Sequence, residues 1–299
     1  MDVKNIQSPT FTTLSDGKQF NYDLNQNQSD VSVMGIAPNP IPLTEFYNIT
    51  LYGDYVANGI GLAINGAGTI NISLPNGSTI VAAFLFWDVS KSIGTLPVLP
   101  SGILNGNPIT GTLIGSTGFD SEVNGFYADV TNLVKIGDNE LAGFPRIPGR
   151  YQTDGASLVV IYYNYGLPYK TIVLNKGIFY FFRETAYTTI NNFKAANSPI
   201  IAKTTYMVGQ TTNGNDAAYF NGSTIATNVF NFSSGFFWSN VTLDVSNQVN
   251  PGDTTAIAGI LNAQSNILIW VAQAFSVNAP LPKTPSKPST EVRGIDLCK

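Results

Sequence analysis

The run Gly137-Asp138-Asn139-Glu140 sets three oxygen-bearing side chains in succession, the residue types that ligate a hard cation. Calcium takes about six to eight oxygen ligands, and no dense acidic loop surrounds this run. Asp138, Asn139 and Glu140 are therefore calcium candidates, and no other cofactor is expected. Paired carboxylates for glycoside hydrolysis could come from Asp120 and Glu122 in "FDSEV", Asp138 and Glu140 in "GDNE", or Glu184 in "FFRETAY". These acids stand in turn-like contexts or beside Arg183, as solvated turn and ion-pair residues do.

Other chemistries are excluded by residue type. The chain has no histidine, which removes Ser-His-Asp and Cys-His nucleophilic sites and histidine-ligated metals. Its one cysteine, Cys298, can form no disulfide within the chain and is a candidate for one between copies. The Gly-rich stretch "NGIGLAINGAG" lacks the Lys and following helix of a phosphate-binding loop. The clusters "GIFYFF" and "GFFWSN" could stack on sugars, but alternate aromatic residues of a strand also fill a core.

The elements that must position these residues are strands. Apolar residues come in short β-branched and aromatic runs between Gly, Pro and Asn, with little helical periodicity. Strands are expected at "TEFYNITLYG", "GTINISL", "STIVAAFLFWDVS", "GFYADVTNLV", "GASLVVIYYN", "KTIVLNKGIFYFF", "IIAKTTYMVG", "AAYFNGSTI", "NVFNFS", "NVTLDVS" and "NILIWVAQAFSV". Leu158 to Ile161 and Ile267 to Val271 are apolar at both parities, as in strands covered on both faces.

One motif occurs twice. "DVTNLVKIGDNELAGF" from Asp129 and "DVSNQVNPGDTTAIAGI" from Asp244 share an Asp-Val, a small hydroxyl residue, Asn, Gly-Asp and Ala-Gly. Each follows a strand containing Thr-Ile-Val and precedes a long apolar strand. The repetition predicts an all-β chain of two tandem antiparallel jelly-roll or galactose-binding-like sandwiches with extended terminal arms. Residues 1–35 form an N-terminal arm and entry, 36–165 the first sandwich, 166–278 the second, and 279–299 a Pro-rich C-terminal arm. The later copy has Thr254 and Thr255 where the earlier has Asn139 and Glu140, so the copies share a turn rather than a ligand set.

Charged residues make up only 11% of the chain, against about 25% in an average globular protein. Copies with so little surface charge repel one another weakly, which suits assembly or glycan contact. A net charge of −4 with scattered basic residues argues against nucleic acid as a partner. The apolar runs fall well short of the roughly 18 residues of a membrane span, and the opening "MDVKNIQSPT" lacks the apolar stretch of a secretion signal. Asn-x-Ser/Thr sequons begin at Asn27, Asn48, Asn71, Asn76, Asn221, Asn231 and Asn240.

The order "STIVAAFLFW", "FYADVTNLV" and "DGASLVVIYYNYGLPYKTIVLNKG" resembles an uncharacterised β-sandwich domain found at the N-terminus of bacterial and archaeal surface proteins with immunoglobulin-like repeats. The resemblance covers roughly residues 77–177 and implies location at a cell or spore surface, with no catalytic residues to carry over. The expected function is a non-enzymatic structural protein that self-assembles into a layer, fibre or appendage, its partners being copies of itself. The alternative is an adhesin that holds surface glycans with loops at the sandwich ends.

Overall fold

The computed structural model describes residues 11–13, 19–21, 41–92, 97–98, 100–118, 121–212, 214–263 and 267–282. Most of both expected arms, and Cys298 and Asp120 with them, lies outside the described residues. Within the N-terminal arm, β1 (Phe11–Thr13) pairs antiparallel with β2 (Gln19–Asn21).

The first half of the fold runs through β3 (Ile41–Gly61), β4 (Gly68–Ile72), β5 (Thr79–Ser92), β6 (Ser101–Leu104), β7 (Asn107–Thr110), β8 (Thr112–Thr117), β9 (Ser121–Asp129), β10 (Gly137–Ala142), β11 (Arg146–Ile147) and β12 (Tyr151–Tyr163). The second runs through β13 (Tyr169–Phe181), β14 (Thr185–Ile190), β15 (Ala202–Thr211), β16 (Asp216–Phe220), β17 (Ser223–Thr227), β18 (Phe237–Asp244), a single 3₁₀ turn at Ser246–Gln248, β19 (Ala256–Asn262) and β20 (Leu268–Asn278). Each half has a large sheet and a small one. The large sheets read β3-β12-β5-β9, with β8 added at the edge, and β13-β20-β15-β18, and pairing of β3 with β13 makes them hydrogen-bonded neighbours. The small sheets read β4-β10-β6-β7 and β14-β19-β16-β17. The order is the same in both, and it is that of an eight-stranded antiparallel jelly roll. "NVFNFS", expected as a strand, is instead a loop, in which Asn228 and Phe232 take left-handed backbone angles (φ 54° and 63°) that break regular strand geometry.

Three cores hold these layers. In the first roll Leu85, Trp87, Leu104, Phe126, Leu141 and Leu158 pack between large and small sheets. In the second, Phe181, Tyr206, Phe220, Trp270 and Phe275 do the same. A third core joins the opposite faces of the two large sheets through Tyr55, Phe86, Ile161, Ile172, Trp238, Ile269 and Val271. This is why β12 and β20 are apolar at both parities: one face meets its own small sheet and the other meets the opposite roll.

Strand β3 belongs to both rolls. Residues 41–52 pair with β13 and residues 53–61 with β12. At the change of partner, the Tyr52–Gly53 peptide uses its two ends in opposite directions: the Tyr52 carbonyl accepts from Asn164 N at 2.8 Å, and Gly53 N donates to the Pro168 carbonyl at 3.2 Å. Gly53 has φ of 144°, and a Cβ there would fall 2.0 Å from the Tyr162 carbonyl oxygen, so only glycine fits. Next to it, Asp54 accepts from Lys170 Nζ at 2.7 Å and lies 3.3 Å from Lys203 Nζ. Burial opposes ionisation of Asp54, but the two lysines outweigh it and hold the carboxyl below its usual range.

Because the rolls share a strand and a core, they are expected to unfold together. The chain has three tryptophans, and Trp87, Trp270 and Trp238 occupy the first, second and third cores respectively. In urea, tryptophan fluorescence and far-UV circular dichroism of the intact chain will report one shared midpoint. Two separate transitions would show that the rolls unfold independently.

Candidate functional site

The repeated motif builds the same turn in each roll. Asp129 Oδ1 accepts from Thr131 N at 3.0 Å, and Asp244 Oδ1 accepts from Ser246 N at 2.8 Å. The hydroxyls then reach the neighbouring strand: Thr131 Oγ1 accepts from Ala83 N at 2.9 Å, and Ser246 Oγ from Ala202 N at 3.0 Å. Val130 N and Val245 N return the bond to the carbonyls of Ala83 and Ala202. Each motif thus splices the end of one large-sheet strand to the start of its neighbour through an Asp-capped turn.

A second clasp, not evident from the motif alone, closes each small sheet. Asn105, in the β6–β7 turn, donates from its backbone to the Glu140 carbonyl at 2.8 Å and accepts from Glu140 N at 3.0 Å. Its amide also donates to the Leu133 carbonyl at 2.9 Å. Asn221, in the β16–β17 turn, makes the corresponding bonds to Ile257 O and N, both at 2.8 Å, and to Gln248 O at 2.7 Å. Both asparagines take positive φ, 50° and 46°, and both precede glycine. The Asn-Gly pairs "NGNPIT" and "NGSTIAT" are the sequence signal for them.

The three calcium candidates do not converge. They alternate along β10, so Asn139 points inward while Asp138 and Glu140 point to solvent. Asn139 Oδ1 accepts from Lys135 N and from the Asn105 amide, each at 2.9 Å, and its own amide donates to the Lys135 and Gly137 carbonyls. Asp138 Oδ1 accepts from the Asn71 amide at 2.7 Å. Among the described residues, no group of three or more Asp, Glu, Cys or His side chains is placed to hold a metal. Glu122 pairs with Lys91 at 3.0 Å, and Glu184 is exposed beside Arg183.

The first copy of the motif also borders a groove of about 610 Å³, lined by Tyr47, Val81, Ala82, Phe84, Asp129, Thr131, Asn132 and Leu133. Tyr47 comes from the part of β3 that pairs with the second roll, so the groove lies where the rolls meet. Its ring packs on Phe84 at 5.0 Å between centroids. Burial, and then the Asp129 carboxylate, raise the Tyr47 phenol above its usual pKa.

The two aromatic clusters divide between core and surface. In "GIFYFF", Ile178 and Phe181 are buried and Phe182 is exposed. In "GFFWSN", Trp238 is fully buried, with Nε1 donating to Ser157 Oγ at 2.9 Å. Phe236 is half exposed, stacks on Phe232 at 5.5 Å and contacts Phe237 at 4.1 Å. A second exposed aromatic group comprises Tyr52, Tyr165 and Tyr169, with both partners 5.0 Å from Tyr52 and Tyr165 itself 74% exposed.

No family model matches the chain, and no curated protein matches its sequence. Solved structures with a similar arrangement share little sequence. BuGH86 in complex with neoagarooctaose is 12% identical over 80% of this chain, with a TM-score of 0.30. PNGF-II is 10% identical over 80%, with a TM-score of 0.28. The STIV MCP is 11% identical over 76%, with a TM-score of 0.21. The chain spans 34% of BuGH86, 66% of PNGF-II and 96% of the STIV MCP.

The clasps predict a clear split between neighbouring residues. Asn105→Ala removes three side-chain hydrogen bonds and Asn221→Ala two, so at about 1 kcal/mol each they will lower stability by about 3 and about 2 kcal/mol. The surface change Glu140→Gln will stay within about 0.5 kcal/mol. Urea titration measures all three. A calcium-dependent rise in midpoint that Glu140→Gln abolishes would instead restore the cation site.

Proposed function

We propose that the chain is a non-enzymatic structural protein whose copies assemble into a layer, fibre or appendage at a cell or spore surface. The observation that carries this reading is the joining of two jelly rolls into one body through a third apolar core and a shared strand. Such a body is stiff, because relative motion of the rolls would expose that core. A sparse surface charge leaves contacts between copies weakly opposed. The family resemblance is the support for a surface location.

Two exposed aromatic groups supply contact points. The Tyr52–Tyr165–Tyr169 group sits where β3 changes partner. The Phe232–Phe236 group is anchored at the other end of that strand, where Gly61 N donates to the Ser234 carbonyl at 2.7 Å. Nine residues of strand separate the anchors, roughly 30 Å. Different patches at opposite ends suit a head-to-tail contact, which repeats without closing. Aromatic side chains are the residues that most often anchor interfaces.

Negative-stain electron microscopy and light scattering of the intact protein test this: filaments or sheets are expected. Tyr165→Ser combined with Phe236→Ser will suppress them without moving the unfolding midpoint by more than about 1 kcal/mol. Monomers alone, across pH and calcium concentration, would refute assembly.

The groove favours a second reading, an adhesin that holds surface glycans. Tyr47 offers an aromatic ring and a phenolic donor, and Asp129 and Asn132 offer polar groups that bind sugar hydroxyls. On a glycan array, binding that Tyr47→Ala removes would support it, and a signal unchanged by that substitution would dismiss the groove.

A further inference from the structure

Two aspartates are buried where the rolls meet. Asp88 on β5 and Asp154 on β12 are both fully inaccessible. Asp154 N donates to Asp88 Oδ1 at 3.3 Å, so one residue's backbone lies against the other's carboxyl. Asp154 Oδ1 accepts from the Gln152 amide at 3.1 Å. The second roll closes over the pair: Gln210 of β15 donates to Asp154 Oδ2 at 2.8 Å and to Ser90 Oγ at 3.1 Å. Gln210 reaches them from a bulge in the β15–β18 register, with φ of 57°. Beside it the backbone of Gly209 lies against Asp88, where a Cβ would fall 2.1 Å from Oδ2. Asp88 Oδ2 has no hydrogen-bond partner among the described residues.

Among the described residues, no cation offsets this pair. Of the charged side chains on the elements packed around it, Lys91 of β5 is held by Glu122 of β9 at 3.0 Å. Arg146 of β11 donates to the Ala63 carbonyl at 2.6 Å, and Arg150 is exposed. From the second roll, Lys203 of β15 is engaged by Asp54 of β3 and the Tyr55 carbonyl, and Asp244 of β18 caps its own turn. Two adjacent buried carboxyls without a counter-charge cannot both ionise cheaply, so protons stay with the folded pair.

We propose that Asp88 and Asp154 form a proton-operated latch between the two rolls, closed while the pair holds a proton and loosened when both carboxyls ionise. Burial pushes the Asp154 carboxyl up to about 6. Burial, and then the charge of Asp154, raise Asp88 well above the usual carboxylate range. The sign follows from proton counting. Unfolded aspartates ionise near the usual 3.8 while the folded pair keeps its protons, so stability is full below that pH and falls as pH rises. Asp54 titrates with the opposite sign, because its folded carboxyl is depressed, and its contribution is lost only in stronger acid.

The test is urea unfolding of the full chain from pH 4 to 9, for the wild type and Asp88→Asn, followed by tryptophan fluorescence. For the wild type, each proton held only by the folded state lowers the folding constant tenfold per pH unit. Above pH 6 the wild type is expected to keep losing stability while Asp88→Asn stays level, so that the variant is at least tenfold favoured by pH 8. Parallel profiles for the two proteins would overturn the latch. If Asp88→Asn fails to fold, infrared spectroscopy of the wild type decides. A protonated-carboxyl band at pH 7 that disappears at alkaline pH together with a change in tryptophan emission supports the proposal, and a folded protein with no such band at pH 7 refutes it.

Discussion

A β-sheet with one oily face can satisfy it against a single partner layer, but the large sheets of this protein are oily on both faces. Strands β12 and β20 are buried along nearly their whole length, so each large sheet needs a small sheet on one side and the other large sheet on the second. The four-layer stack is the arrangement that meets both demands. The bend at Gly53, the crossing of the chain through Asn164 to Pro168 and the ion cluster at Asp54 all serve to bring the large sheets face to face.

The polar groups that this stacking buries fall into two kinds. Around Asp54 the charge is compensated by two lysines, and the Tyr55 N–H donates to the carboxylate as well. Around Asp88 it is not, and the carboxyls rely on their own protons and on amide donors. Both clusters sit between the rolls, so the interface joins apolar adhesion with sites whose net charge follows the surroundings. The turn clasps work differently: Asp129, Asp244, Asn105 and Asn221 form neutral or locally capped hydrogen bonds that fix each roll separately.

Much of this was legible in the chain. The β-branched runs marked most strands, and the repeat announced two similar sandwiches, because the Asp-Val-Thr/Ser splice has the same bonding in both. The apolar run from Leu158 to Ile161 called for a cover on its second face, which the other roll supplies. What stayed hidden depends on partners distant in sequence. "TEFYNITLYG" reads as an ordinary strand, and nothing local says that its residues pair with β13 rather than β12. The hairpin of β6 and β7 is short and only lightly apolar, although Asn105-Gly106 marked its turn. Asp88 stands between Trp87 and Val89 inside an apolar run, a placement that signals a buried acid, but only folding brings Asp154 to it.

The double allegiance of β3 bears on how the chain is made. As synthesis proceeds, strands up to β12 suffice to complete the first roll around the second part of β3, while residues 41–52 still lack β13. Until the later half emerges, that segment presents an open strand edge beside the uncovered face of the first large sheet. A second nascent chain carries the same edge, so correct pairing within one molecule is a race between synthesis and encounter. The bond pattern that makes the finished body indivisible also makes its half-finished form the stage at which neighbouring chains can exchange strands.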